Sequence, residues 1–149
     1  MNIEYQLQIN AIKGEQIFYI ECGELILLTD GHIGVYLKES ELKIDKSKLR
    51  KPHDNSTATS YIPENLLKVR TAVIETSIAR KIPSSGYAIK LYSKESGEHC
   101  FVKEKFLKMF KGYNSLFIKS ARDPVLLYRY GVPYGIILPI RITPKEGEE

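Results

Sequence analysis

"FVKEKFLKMFKGYNSLFIKSARDPVLLYRYGVPYGIILPIRI", residues 101–142, decides the fold class. In "KEKFLKMFKGY" the stripe Val102, Phe106, Leu107 and Phe110 has helical spacing, Lys105, Lys108 and Lys111 fall on the other side, and Gly112 ends the run. The pattern then breaks into short strand-like pieces: "SLFIKS", a turn at Asp123-Pro124, "VLLYRY", a turn at Gly131-Val132-Pro133, and "YGIILPIRI". Just upstream, "HCFV" is short and extended. The order is strand, amphipathic helix, three strands. Pro139 has no N–H to give a ladder, so the last strand is expected at a sheet edge or bulged there.

Moving towards the N-terminus, "YAIKLYS" reads as a strand followed by a turn at Lys94–Gly97. Pro63-Glu64 suits a helix start, so a helix is expected over 63–70, whereas the β-branched "TAVIETSIA" from Thr71 favours strand. Residues 38–60 are polar and end in small turn formers. They read as a loop between two halves and mark a weak internal boundary in a chain otherwise taken as a single domain, 1–149. The first 37 residues read as a four-strand meander. In "IEYQLQI" Ile3, Tyr5, Leu7 and Ile9 alternate with polar residues, and "QIFYIE", "LILLT" and "HIGVYL" follow, with turns at Gly14, Gly23 and Asp30-Gly31. No internal repeat is visible. The class expected is α+β: antiparallel β-sheets with one or two amphipathic helices packed on them.

Composition fits that class. The 149 residues are 43 % hydrophobic and 27 % charged, enough for one buried core without staples. The longest apolar stretches are too short to span a bilayer and the N-terminus has no signal-peptide pattern, so a soluble cytoplasmic protein with no membrane partner is expected. Cys22 and Cys100 are expected as two reduced, buried thiols. The net charge of +4 is concentrated: residues 43–51 hold five basic residues and one acid, +4 alone, and 103–111 hold four and one, +3. A local basic patch suits a polyanion partner.

Catalytic patterns are missing. Asp30, His32, His53, His99 and Cys100 show no metal-ligand spacing, no nucleophile elbow is present, and Gly31-His32-Ile33-Gly34 lacks what a phosphate cradle needs. Asp30-Gly31-His32 reads as a hairpin tip, the alternative being an enzyme working through Asp30 and His32. No cofactor or metal is expected. Phosphate contacts are expected from Lys105, Lys108 and Lys111 and from the stretch Lys46, Lys48, Arg50 and Lys51, against the alternative of merely solvated lysines.

The strand–helix–three-strand order of 101–142 resembles the half-domain unit of DNA polymerase sliding clamps. "LILLTDGHIGVYL" (25–37) is similar to the clamp hairpin in which Thr-Asp-Gly(-His) follows an apolar strand, and "ILPIRI" is similar to the closing strand of bacterial clamps. The resemblance implies a non-enzymatic accessory protein of replication, a homo-oligomer around duplex DNA. It implies DNA-facing Lys105, Lys108 and Lys111, and a peptide-motif partner at Leu138, Pro139, Ile140 and Arg141. Four features depart from the family: no clear helix is expected before the hairpin, the chain runs seven residues past "PIRI", and two concern length and spacing. The chain is far shorter than a three-domain bacterial clamp, which suggests a phage or prophage relative, and about 70 residues separate Asp30 from Lys103. The alternative function is a protein-interaction or structural module.

Overall fold

The structure, a computed structural model, describes residues 2–51, 63, 71–83 and 86–142. Its first element corrects the sequence expectation: Ile3–Ile12 is helix α1, not a strand. Ile3 and Leu7 fit both periods, but Ala11 continues them at helical spacing, and all three are buried while Tyr5 and Ile12 reach solvent. Gln6 Nε2 donates to Asn10 Oδ1 at 2.9 Å and Gln8 Nε2 to the Glu4 carbonyl at 2.9 Å, four-residue contacts that only a helix makes.

Strands β1 (Phe18–Cys22), β2 (Leu25–Thr29) and β3 (Ile33–Leu37) form the predicted meander. After two 3-10 turns at Glu39–Glu41 and Lys46–Lys48 come β4 (Thr71–Ile82), β5 (Gly86–Tyr92) and β6 (His99–Lys103). Helix α2 (Glu104–Met109) and strands β7 (Ser115–Ile118), β8 (Val125–Arg129) and β9 (Val132–Ile137) complete the described chain. The nine strands make one antiparallel sheet in the order β1-β2-β3-β9-β8-β7-β4-β5-β6.

The last strand also differs from expectation. β9 lies inside the sheet between β3 and β8, because its ladder stops at Ile137, two residues before Pro139. The proline within the strand is Pro133, which sits where the register slips opposite Tyr128, as a missing donor requires. Beyond β9, Leu138 N–H donates to the His32 carbonyl at 2.9 Å and Ile140 N–H to the Phe101 carbonyl at 2.8 Å. The chain after β9 thereby reaches β6, at the far end of the strand order.

A repeat emerges that the sequence does not display. Helix–strand–strand–strand occurs as α1-β1-β2-β3 and again as α2-β7-β8-β9. The two third strands pair at the centre: Ile33 with Ile137, Gly34 with Ile136, Val35 with Gly135. Both helices lie on one face, where Leu7 and Ala11 of α1 and Leu107 of α2 share a core with Val35, Leu91 and Leu127. The other face carries a second cluster around Leu27, Tyr36, Leu126 and Ile136.

The polar excursion over 38–51 packs closely. Gln8, buried, accepts from Lys43 N–H at 2.7 Å, and Leu42, Ile44 and Leu49 lean on the core. Residues 52–60 and the helix expected over 63–70 lie outside the described residues, apart from buried Pro63.

Candidate nucleic-acid interface

Helix α2 is shorter than its apolar stripe predicts. Phe110 leaves the helical conformation (φ −93°, ψ 73°) and Gly112 takes φ +80°, so Lys111 lies past the helix end. Lys105, Lys108 and Lys111 are all exposed. Lys108 Nζ pairs with Glu104 Oε1 at 3.0 Å, one turn back, and Lys105 Nζ stands 5.2 Å from the Phe106 ring centre. α1, on the same side of the sheet, brings one acid, Glu4, and no basic residue.

The structure joins what the sequence separates. The His32 ring lies nearly parallel to Phe106 (20°) with centroids 6.4 Å apart, so the β2–β3 turn touches α2. Lys103 and Lys105 bring their cations to the same phenyl ring, at 5.6 and 5.2 Å. Leu138, bonded to the His32 carbonyl, brings the predicted partner segment to the same corner. Leu138, Pro139 and Ile140 are half-buried and Arg141 is exposed. The N–H groups of Leu138 and Ile140 are used within the chain.

Lys48, Arg50 and Lys51 sit elsewhere, exposed along the outer edge of β1. Arg50 bridges Phe18: its N–H donates to the Ile17 carbonyl at 2.9 Å and its carbonyl accepts from Tyr19 N–H at 2.7 Å. Lys46 is committed to structure. Its Nζ reaches Glu39 Oε1 at 2.7 Å and lies 5.3 Å from the Tyr19 ring, and this pairing lowers the Glu39 pKa and raises that of Lys46.

Asp30 meets His32 through the main chain. Asp30 Oδ1 accepts from His32 N–H at 2.8 Å and Ile33 N–H at 2.9 Å, while Thr29 Oγ1 donates to the Ile33 carbonyl at 2.7 Å. These bonds tie a turn whose sharp point, Gly31, has φ +94°, a region open to glycine. Among the described residues no three His, Cys, Asp or Glu side chains are grouped to hold a metal; His53 lies outside them. Cys22 and Cys100 are buried and not joined in a disulfide, and burial pushes the Cys100 thiol up to about 11.

One polar cluster escaped the sequence reading altogether. Arg129 Nη2 meets Glu4 Oε1 at 3.0 Å, and its guanidinium carbon lies 4.1 Å from the Tyr134 ring centre. Glu4 Oε2 is buried without a partner, and burial, then the Glu4 charge, raises the Tyr134 pKa. Leu25, Lys38, Val132 and Pro133 line both neighbouring hollows, of about 540 and 300 Å³. Glu4 and Arg129 are 125 residues apart, and no local pattern links them.

Among the described residues no helix is long and apolar enough to cross a membrane. No protein-family model, no curated protein and no solved structure matches the chain.

Proposed function

We propose that the chain is a non-enzymatic, clamp-like accessory protein that associates with duplex DNA as a homo-oligomer, in a replication apparatus of phage or prophage type. The observation that carries this is the doubled helix–three-strand unit with its third strands paired, β3 on β9, and both helices on one face. Two such units side by side are the repeat expected if the clamp resemblance extends beyond the C-terminal stretch. Lys105, Lys108 and Lys111 supply phosphate contacts, and Leu138–Arg141 supply the partner segment beside them.

Salt titration of a labelled duplex with the full chain tests this. Three phosphate contacts predict a log–log slope of about −2.7, or roughly 40-fold weaker binding between 50 and 200 mM salt. Charge reversal at the three lysines removes that slope. Binding that ignores salt, or survives the reversal, overturns the proposal, as does a strictly monomeric solution mass with DNA present.

A second reading, a protein-interaction module, is favoured by the β8–β9 turn. There Tyr130, 82 % exposed, takes φ 52° with its N–H held by Asn114 Oδ1 at 2.6 Å, next to Val132, 54 % exposed. Loss of a co-purifying partner on Tyr130→Ala, with no DNA binding, would support it.

A further inference from the structure

Strand β4 has two neighbours of unequal length. β5 runs beside it from Ile74 to Ile82, whereas β7 pairs only with Thr71, Ala72 and Val73. Beyond Val73 the β7 side of β4 carries no ladder among the described residues. The stretch "IETSIARKI", residues 74–82, is therefore an open strand edge, although β4 lies inside the strand order. An open edge of this length is a template for another strand.

Its side chains fall into two sets. Glu75 and Ala79 stand opposite Leu91 and Ile89, which face the core, so the bulge between them leaves the alternation in step. Glu75 and Lys81 thus share one face, and Ile74, Ile78 and Ile82 share the other. Ile74 is 49 % and Ile78 44 % exposed, and Ile82 is half-buried. At the bulge, Thr76 Oγ1 donates to the Lys90 carbonyl of β5 at 2.8 Å and accepts from Ile78 N–H at 3.2 Å, so that N–H is spent towards β5. Glu75 Oε2 accepts from Tyr113 Oη at 2.6 Å, and Glu75 Oε1 has no partner among the described residues. Lys81 is exposed.

The stretch is complementary to itself. Laid antiparallel on a second copy about Ile78, it sets Ile78 against Ile78, Ile74 against Ile82 and Glu75 against Lys81, each pair on one face. Thr76 then meets Arg80 and Ser77 meets Ala79, so no like charges oppose. Moving the centre to Ser77 or Ala79 loses the Glu75–Lys81 pairs and sets Ile78 against Thr76 or Arg80. Ile78 is also the midpoint of the open edge, four residues from the last β7 neighbour at one end and from the end of β4 at the other. We infer that two copies of the chain join edge to edge through β4, antiparallel about Ile78, into one sheet across a two-fold axis. The contact uses the same surface on both copies and closes at two. A foreign apolar strand would leave Lys81 unanswered, as edge lysines do to discourage pairing, whereas a second copy answers it with Glu75. The joint is independent of DNA binding and supplies a contact that the oligomer proposed above leaves unspecified.

Sedimentation velocity of the full chain at rising micromolar concentration tests this. One strand edge is a small interface, so wild type is expected to pass from monomer to dimer within that range. Glu75→Lys alone, or Lys81→Glu alone, opposes like charges twice across the axis and is expected to weaken the dimer roughly ten-fold. Mixed in equal amounts, the two variants meet with opposite charges at both positions, and their heterodimer is expected to regain wild-type affinity. Ile78→Lys sets two cations face to face on the axis and is expected to abolish the dimer with circular dichroism intact. Lys81→Glu and Ile78→Lys remove no side-chain bond among the described residues, so they decide the matter if loss of the Tyr113 bond unfolds Glu75→Lys. A chain that stays monomeric overturns the inference; one that is also monomeric with duplex present overturns the function proposed above. A dimer indifferent to Ile78→Lys and to Lys81→Glu overturns the inference but leaves that function standing on another joint. Folded single variants that weaken the dimer yet do not rescue each other overturn the centre at Ile78. A dimer that behaves as expected, with no duplex binding, sustains the inference and removes the clamp-like function.

Discussion

Replacing Gly135 with alanine places a methyl group at the joint between the two repeated units. Its Cβ would fall against Phe110 Cε1, 2.8 Å from Phe110 Cζ and 2.5 Å from the Gly34 carbonyl oxygen. Neither obstacle can move freely. Phe110 is fully buried and held edge-on to Tyr134, centroids 5.2 Å apart, and the carbonyl belongs to the β3 backbone. Overpacking a core costs about 1–3 kcal/mol, and a clash with main chain belongs at the upper end, about 3 kcal/mol. At 149 residues that lowers the melting temperature by roughly 6–12 °C. Gly34→Ala is the matched control. Its Cβ meets side chains but no main chain, Leu27 Cδ1 at 2.8 Å and Ile136 Cγ1 at 3.0 Å, so the lower end of the overpacking range, about 1 kcal/mol, is expected. Urea unfolding followed by circular dichroism measures both, with m unchanged. Adding Phe110→Leu to Gly135→Ala relieves the ring but not the carbonyl, so the double variant stays below Phe110→Leu alone. Gly135→Ala within about 0.5 kcal/mol of wild type, or Gly34→Ala the worse of the two, would refute the β3–β9 register.

Three other perturbations report on separate contacts. Gln8→Leu leaves the Lys43 N–H without its acceptor and the Glu41 carbonyl without its 3.3 Å donor, and should cost about 2 kcal/mol in urea melts. Arg129→Ala strands the largely buried Glu4 carboxylate and should cost about 2–3 kcal/mol, with Lys recovering part of it; a neutral result would show that the pair holds nothing. Cys100 stays protonated in the fold up to about 11, against 9.0 when exposed, so folding binds its proton more tightly. That contribution is complete below pH 9 and disappears as pH rises from 9 to 11; melts across this range should fall, and Cys100→Ala should flatten the fall. Native Cys100 should also resist thiol reagents at pH 8 until urea unfolds the chain.

The hairpins were legible because their signals are local. Asp30-Gly31 and Gly23 fix turns whatever surrounds them, and the β-branched run from Thr71 did become β4. α1 was misread because Ile3, Tyr5, Leu7 and Ile9 alternate by coincidence over seven residues, and only Ala11 shows which period continues. The place of β9 is not legible because "YGIILPIRI" stays apolar through Pro139 while the ladder ends at Ile137. For the candidate site, the lysines of α2 could be seen in sequence. Their neighbours could not, since His32 on Phe106 and Arg129 on Glu4 join residues with no common motif. The pairing of β4 with β5 and of β5 with β6 depends on register, which a strand's own sequence does not state.

The β3–β9 joint also sets a timetable for synthesis. Every residue of β3 is buried in the finished protein, yet one hundred residues separate Leu37 from Ile137, the end of the strand that covers its edge. At about 5–20 residues per second, the ribosome leaves that edge uncovered for roughly 5–20 s. For that interval the nascent chain carries an apolar strand with unpaired backbone groups, the kind of edge that recruits other chains. Gly34, the second residue of β3, is a weak strand former and is expected to lower the strand's pairing tendency during the wait. Gly34→Val is therefore expected to raise aggregation during synthesis more than its effect on the folded stability accounts for.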